Sequence, residues 1–552
     1  MNSREVVLEL LRSEGVRHVF GNPGSTELPF IDALAGTDDP HYVLALQEAT
    51  AVGIAEGYAH ATGRPAFVNL HTAAGLGNAM GALTSAQANR VPLVVTAGQQ
   101  DRRHLVADPL LAGDLTGLAR AACKWVHEVR TAGELGTMLR RAFHDALSPP
   151  AGPVFVSIPM DLMDDTDEHA LPPPSVIHRR PVAGALEELA ELLTSRPVGK
   201  VAIIAGDEVS SSGALPELVA LAETLGAPVH GAPLHGRAVF PPLHPLWAGM
   251  LVAAASAMSA VLASYDRVLV VGDRVLMTYP YTPGSALPAT TELLHLAADP
   301  QQLGRSHHTR WASAGDAKAT LAALLPMVAR RIDPASASTA AAALQAATVR
   351  RAAAVDRLDA TAVARYHKSP TDPMAAVHAL MAAMPPDSCV VDEAISTSPY
   401  VRGFHRSAAA GRYFFNRGSG LGWGMSVAVG VSMGRDREPV LAVVGDGSAM
   451  YAPQALWTAA HEGVPVVFAV VNNRQYLILK NNLRSMGGAS AHAGRFVGTD
   501  LERPPIDFVA LARSMGVDAT LVEKPHDIGD AVSAALDSNR PHLLEVPVAV
   551  PA

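Results

Sequence analysis

Cysteine is almost missing from this chain of 552 residues: only Cys123 and Cys389 occur, too few and too far apart for a disulfide framework or a thiolate metal site. Also missing is a stretch apolar and long enough to span a membrane. The uncharged stretch of residues 250–265 is rich in Ala and Ser and reads as a buried helix. Where a signal peptide would need an apolar core, the N-terminus carries Arg4, Glu5 and Glu9, so a cytoplasmic location is expected. Basic clusters are lacking as well. With a formal charge of -9 and only scattered doublets such as Arg350-Arg351, the chain has no electrostatic footprint for nucleic acid or an anionic membrane.

What is present is apolar sequence, 49% of the chain, enough for several buried cores; length alone suggests about three or four domains. A first helix over residues 4–13 stops near Gly15, and strand-like runs follow at 16–20, 42–46, 66–70, 91–97 and 154–158 with helical stretches between them. That alternation predicts a doubly wound α/β unit, ended by the stiff linker Leu171-Pro172-Pro173-Pro174. A second unit from about Pro181 repeats the pattern with strands at 201–205, 227–231, 268–272 and 293–297. The Ala-rich tract 339–360 reads as a connecting helix into a third α/β unit from about Ser369. No letter-by-letter repeat relates the three.

Gly445-Asp446-Gly447 ends the apolar run Leu441-Ala442-Val443-Val444, and Asn472-Asn473 ends a second such run. An aspartate at the carboxyl end of a strand can bind a divalent cation, and flanking glycines let the backbone approach phosphate oxygens. Asp446 and Asn473 are about 27 residues apart, a strand, helix, strand excursion that can bring them side by side. One carboxylate, one amide oxygen and phosphate oxygens are hard ligands of the kind Mg²⁺ takes. Either motif alone is more often a turn or a cap; the pair, each directly after a β-branched run, reads as a metal and diphosphate clamp. A competing glycine pattern, Gly75-Leu76-Gly77-Asn78-Ala79-Met80-Gly81, has imperfect dinucleotide spacing. No Asp or Glu stands between Gly81 and Gln100 to hold a ribose, so nicotinamide is not expected.

The pair of motifs resembles the thiamine diphosphate signature of the decarboxylase and acetolactate synthase superfamily. Asn22-Pro23-Gly24-Ser25-Thr26-Glu27-Leu28-Pro29-Phe30, Leu46-Gln47-Glu48-Ala49, Asn69-Leu70-His71-Thr72-Ala73-Ala74-Gly75 and Thr96-Ala97-Gly98-Gln99-Gln100 are similar to its benzoylformate decarboxylase branch. So are Gly445-Asp446-Gly447-Ser448-Ala449 and Ala455-Leu456-Trp457-Thr458-Ala459-Ala460. The resemblance implies three doubly wound parallel-sheet domains: a pyrimidine-binding one over 1–170, a central Rossmann-like one over 182–338, and a diphosphate- and Mg²⁺-binding one over 365–552. It implies non-oxidative decarboxylation of a 2-keto acid, benzoylformate-like with an aromatic or branched side chain, to aldehyde and CO₂ by covalent catalysis with thiamine diphosphate. Because the two cofactor halves come from different subunits in the family, a homodimer is the minimum active form and a homotetramer is favoured. FAD, which some relatives bind in the central unit, is not excluded and not expected.

By the same resemblance Glu48 is the carboxyl group that shares a proton with the cofactor's aminopyrimidine. It opens a helix rich in small residues (Ala49, Ala51, Gly53, Ala55, Gly57), which would let a flat ring approach the backbone, and burial among Leu44, Leu46 and Val52 would help it hold a proton. His71, at a strand end where α/β sites form, matches the acid–base histidine, and Ser25 sits in a Pro-Gly turn suited to a substrate carboxylate. Cofactor contacts fall on Asn22, Pro23, Gly24, Glu48, Ser396, Ser419, Leu421, Gly445, Asp446, Gly447, Ser448, Asn473 and Tyr476, with Leu421 as the residue that bends the cofactor. Asp446, the Asn473 side chain and the Gln475 carbonyl would hold Mg²⁺. Ser25, His71, Leu110, Tyr279, Ile478, Leu479 and Asn482 would line the substrate pocket.

The chain also departs from that branch. Aligning Tyr281-Thr282-Pro283-Gly284 with the family's Tyr-x-Pro-Gly puts Tyr279 where a second histidine is expected. Ile478 and Asn482 replace a small residue and an aromatic, and Arg417 adds a charge near the cofactor-bending loop. A thiamine-dependent carboligase or lyase is therefore a second reading. Against an acetolactate synthase, Gly24-Ser25 replaces a glycine pair and no histidine directly precedes Gln47-Glu48. A non-catalytic binding protein of the same fold is the third reading; intact Glu48, Asp446 and Asn473 argue against it.

Overall fold

Runs of Val, Ile, Leu and Phe too continuous for a sheet with one wet face build three parallel sheets, buried on both sides by helices. The computed structural model describes residues 1–550. It divides into two units: one from Met1–Val176, Ala362–Phe404 and the chain from Asn416 on, the other from Ile177–Thr361 and His405–Phe415.

The first unit holds two sheets. The N-terminal one comprises β1 (His18–Gly21), β2 (His41–Leu44), β3 (Ala66–Leu70), β4 (Leu93–Gln99), β5 (Trp125–Glu128) and β6 (Val154–Pro159), in the order β2-β1-β3-β4-β6-β5. The chain winds outward from β1 to β2 and then returns to β3 on the other side, so β1 and β3 flank a switch point, where crevices open beyond strand carboxyl ends. The register Gly21↔Asn69 levels those ends, and Asn22 and His71 emerge at one rim.

The second unit carries β7 (Val201–Ala205), β8 (Val229–Gly231), β9 (Trp247–Met250), β10 (Arg267–Val271), β11 (Glu292–Ala297) and β12 (Trp311–Ala314), in the order β12-β11-β10-β7-β8-β9. One face is closed by a core that includes Leu189, Ile203, Leu218, Leu269, Leu294 and Leu321. The first unit's second sheet contains β13 (Cys389–Glu393). The short β14 (Tyr413–Phe415) belongs to the second unit, where Phe415 N–H donates to the Gly236 carbonyl at 2.8 Å. Then come β15 (Val440–Gly445), β16 (Val466–Asn472), β17 (Asp518–Leu521) and β18 (His542–Pro547), running β13-β15-β16-β18-β17. Registers Glu393↔Val444 and Gly445↔Val471 level the ends of β13, β15 and β16.

The Ala-rich tract lies inside the helix Pro334–Val363, and residues 250–265 contribute the helix Ala255–Leu262 with Met258 and Leu262 buried. Among the described residues no helix is long and apolar enough to cross a membrane. The strands not anticipated are β5, β9, β12 and β17, which sit at sheet edges, β13 and β14, and β18, which lies inside its sheet between β16 and β17.

One expectation is overturned. The small residues of the helix Glu48–Thr62 do not form a bed for a flat ring; they receive the helix Trp423–Gly434. A Cβ on Gly57 would lie 2.1 Å from the Val427 carbonyl oxygen, one on Gly53 2.6 Å from Ser426 Cβ, and one on Gly430 1.8 Å from the Ile54 carbonyl oxygen. The two helices meet backbone to backbone, which glycine alone permits at those positions.

Candidate functional site

Beyond β1 the chain turns through Asn22, Pro23 and Gly24 into a short 3₁₀ turn, Ser25–Glu27, that leaves Ser25 exposed and buries Glu27. Glu27 organises this rim. Its Oε1 accepts from Gly98 N–H at 2.7 Å and Thr26 Oγ1 at 2.7 Å; its Oε2 accepts from Gly24 N–H at 2.9 Å and lies 3.0 Å from His71 Nδ1. With a carboxylate at Nδ1, the proton belongs on that nitrogen, and Nε2 is the ring atom left for a substrate. Gly24 lies against the ring, where a Cβ would fall 1.9 Å from Nδ1.

Glu48 opens the helix Glu48–Thr62, after the N-cap Gln47 whose side chain accepts from Thr50 N–H at 3.0 Å. It is 9% exposed, and Asn78 donates its amide to Oε2 at 3.0 Å. Gly75 separates Glu48 from His71: a Cβ there would lie 3.0 Å from Glu48 Oε1 and 3.4 Å from His71 Cβ. The misleading glycine run thus serves Glu48, through Gly75 and Asn78 on one face of the helix Thr72–Ala88. The expected apolar enclosure is only partly present. Val52 is buried, but Leu44 is half-buried and Leu46 is 46% exposed, because the chain leaves the sheet at Leu44 before turning into the helix. Leu110 stands 85% exposed in a loop anchored where Gln99 donates its amide to the Gly113 carbonyl at 2.8 Å.

A second rim forms at the ends of β13, β15 and β16. Glu393, Ser396, Leu421, Gly445, Asp446, Gly447, Ser448, Asn473, Gln475, Tyr476 and Ile478 line one cleft. Asp446 Oδ2 and Asn473 Oδ1 both accept from Gln475 N–H, at 3.2 and 3.1 Å, so two hard oxygens converge on one point. Burial pushes the Asp446 carboxyl up to about 6, against the pull of backbone N–H groups including those of Gly447, Arg474 and Gln475. A buried carboxylate beside an amide oxygen is the donor set a hard dication takes. Among the described residues no group of three or more His, Cys, Asp or Glu gathers to hold a metal, so such an ion would rely on Asn473 and backbone oxygen as well. Gly447 lies under Tyr476, where a Cβ would fall 2.4 Å from Cε1. These residues fit a Mg²⁺-diphosphate group. Asn472 plays a different part: its amide donates to Glu545 Oε1 at 2.8 Å and its Oδ1 accepts from Arg474 N–H at 3.0 Å.

Several of the expected contact residues do not line this cleft. Ser419 is exposed with φ 58 and is not part of the cleft lining. Leu479 and Asn482 are also outside it, on the helix Leu477–Met486, of which Leu477 and Ile478 line the cleft. Asn22, Pro23 and Gly24 belong to the His71 rim. Tyr279, 68% exposed in the second unit, donates its N–H to the Ala253 carbonyl at 2.8 Å.

The sequence pattern also left out Glu393. This fully buried carboxyl accepts from Trp423 N–H at 3.2 Å and Gly424 N–H at 2.8 Å, and burial pushes it up to about 8. Its signal was there to read: the acidic pair Asp392-Glu393 follows the apolar run Cys389-Val390-Val391, as Gly445-Asp446 follows another.

Three stretches match models of thiamine pyrophosphate enzymes: the N-terminal TPP binding domain over residues 1–117, the central domain over 186–324 and the C-terminal TPP binding domain over 397–546. The chain is 37% identical to a benzoylformate decarboxylase from Pseudomonas aeruginosa, over 98% of this chain and 97% of that one. It is 26% identical to the acetolactate synthase isozyme 3 large subunit of Escherichia coli, over 98% and 93%. A solved thiamine diphosphate-dependent 4-hydroxybenzoylformate decarboxylase from Rhodococcus jostii superposes over 100% of both chains with a TM-score of 0.86 at 33% identity. The benzoylformate decarboxylase of Polynucleobacter necessarius does so over 99% of both, with a TM-score of 0.87 at 28% identity.

Proposed function

The chain belongs to the thiamine pyrophosphate enzyme family, and from that premise we propose that it decarboxylates a 2-keto acid with an aromatic or branched side chain, releasing aldehyde and CO₂. The observation that carries this reading is His71, fixed by Glu27 and set beside Glu48 with only Gly75 between them. An imidazole placed to act as a general acid or base thus stands next to the carboxyl group assigned to the cofactor. Thiamine diphosphate, when bound, supplies a carbon nucleophile and an electron sink for the departing carboxylate.

The chain's own residues do the rest. Asp446, the Asn473 side chain and the Gln475 carbonyl hold Mg²⁺, while Gly447 and Ser448 let diphosphate oxygens reach the backbone. Leu421 supports the cofactor from the wall of the same cleft. Glu48 holds and returns a proton through a carboxyl oxygen. Ser25 orients the substrate carboxylate, and His71 moves a proton at Nε2. The cleft around Asp446 is lined by residues from Glu393 to Ile478, none from the Glu48 rim, which supports assembly of each site from two copies and hence a homo-oligomer, a tetramer by resemblance.

Tyr279 favours a second reading, carboligation, because it brings a phenol where the family resemblance calls for a second acid–base histidine. Metal-loaded holoenzyme incubated with pyruvate, branched-chain and aryl 2-keto acids tests both, with CO₂, aldehyde and acyloin measured. Aldehyde from aryl or branched acids is the expected outcome; no CO₂ from any member of the panel overturns the proposal.

A further inference from the structure

Leu421 sits in a loop, residues 416–422, whose two ends hang on one buried carboxyl group. Glu56 lies in the middle of the helix that Glu48 opens, fully buried. Its Oε1 accepts from Trp423 Nε1 at 2.8 Å and from the Asn89 amide at 2.7 Å, with His60 Nε2 at 3.3 Å. Asn89 carries the connection to the start of the loop. Its amide also donates to Asn416 Oδ1 at 3.1 Å, and its Oδ1 accepts from Arg417 N–H at 3.0 Å. Asn416 in turn donates its amide to the Gly420 carbonyl at 2.8 Å, one residue before Leu421. Trp423 closes the other end, two residues after it.

The network is tight where the loop bends. Gly418 and Gly420 lie on Ser85, with Cβ positions 2.4 Å from its Cα and 2.4 Å from its Oγ respectively, and Gly420 N–H donates to Ser85 Oγ at 3.2 Å. Glu56 Oε2, by contrast, is buried without a hydrogen-bond partner. Leaving a carboxyl oxygen unpaired in a core costs free energy that an apolar side chain would avoid, so packing alone does not account for an acid here.

We propose that Glu56 is a positioning residue, setting Leu421 at the height that shapes the cofactor by holding Asn89 on one side of the loop and the Trp423 indole on the other. This rests on the assignment of Leu421 to cofactor support, and the test separates the two. Three variants serve: Trp423→Phe, which removes the indole N–H together with part of the ring; Glu56→Ala, which removes the acceptor; and Glu56→Gln, which keeps an acceptor oxygen of the same reach. Amide hydrogen exchange over residues 416–424 is followed by mass spectrometry in cofactor-free protein, and kcat and KM are measured with cofactor bound.

Trp423→Phe and Glu56→Ala are expected to speed exchange in this segment and to lower kcat about tenfold, the scale of one buried hydrogen bond. KM for the 2-keto acid stays within about twofold, and Glu56→Gln restores both readouts to within about threefold of wild type. Faster exchange with unchanged kcat would remove Leu421 from cofactor support while keeping the latch. Unchanged exchange in both Trp423→Phe and Glu56→Ala overturns the proposal, as does a Glu56→Gln variant no better than Glu56→Ala.

Discussion

Glu27 Oε2 lies 3.0 Å from His71 Nδ1, and the same carboxyl group accepts the N–H of Gly24, one residue before Ser25. The proposed acid–base group and the proposed carboxylate-binding turn are therefore oriented by one side chain. Glu27→Gln should retain the fold, because the amide oxygen can still serve a backbone N–H. The amide's own N–H groups conflict with the remaining donors, and the imidazole loses its anchor. A fall in kcat of about 10- to 100-fold is expected, with KM changed less. Steady-state kinetics checks this; wild-type kcat would detach Glu27 from His71 function.

Glu48→Gln should leave the melting temperature nearly unchanged, since Asn78 can still donate to the amide oxygen. Turnover should fall by about 100-fold or more, the scale of a lost acid–base group. Deuterium exchange at C2 of the bound cofactor is the direct readout. Unchanged exchange would take Glu48 out of the chemistry.

Asp446→Ala should abolish Mg²⁺-dependent retention of thiamine diphosphate, because an amide and a carbonyl oxygen cannot balance the charge of the cation. Calorimetry with and without Mg²⁺ measures it. Binding as tight as wild type and still metal-dependent would contradict the clamp.

Glu393 makes stability depend on pH. Its carboxyl is raised to about 8 in the folded protein from an ordinary 4.5, so between those values the folded state binds a proton that the unfolded chain does not. Stability of cofactor-free protein should therefore fall as pH rises from about 5 to 8, with a slope approaching 1.4 kcal/mol per pH unit for one proton. Glu393→Gln, which mimics the neutral acid, should flatten that slope. Parallel melts at pH 5 through 8 compare the two; identical slopes would refute the linkage.

Tyr279→His tests product choice. If the tyrosine merely fills space where a second acid–base group is expected, histidine should raise the aldehyde fraction and lower the acyloin fraction from the same 2-keto acid, while Tyr279→Phe changes little. Product ratios by chromatography decide it, and a phenylalanine variant that loses aldehyde release would make the phenol itself the proton donor.

How much of this was legible depended on burial. Strands such as Ala66–Leu70 and Val201–Ala205 are buried at every position, and continuous apolar runs announce them. β5, β9, β12 and β17 are edge strands with partly exposed residues, and Trp-Val-His-Glu or Asp-Ala-Thr-Leu carries no such run. Asp446 and Asn473 stood out because each ends a strand. Glu27 lay inside a recognised motif, yet its partner His71 is far along the chain, and nothing local pairs them. The glycines of the helix Glu48–Thr62 were visible but misassigned, since the helix that needs them begins only at Trp423.

That backbone-to-backbone contact also bears on how such an enzyme diversifies. At Gly53, Gly57 and Gly430 even one added carbon collides with main chain or Cβ atoms, so the frame joining Glu48 to the Leu421 loop has almost no room for drift. Two side chains expected to meet the variable part of a substrate are the opposite: Leu110 and Ile478 are 85% and 37% exposed within the chain, and exchanging them disturbs little folded structure. New substrate ranges can accumulate at those positions by single substitutions, each tolerated by the fold, while the chemistry is inherited unchanged.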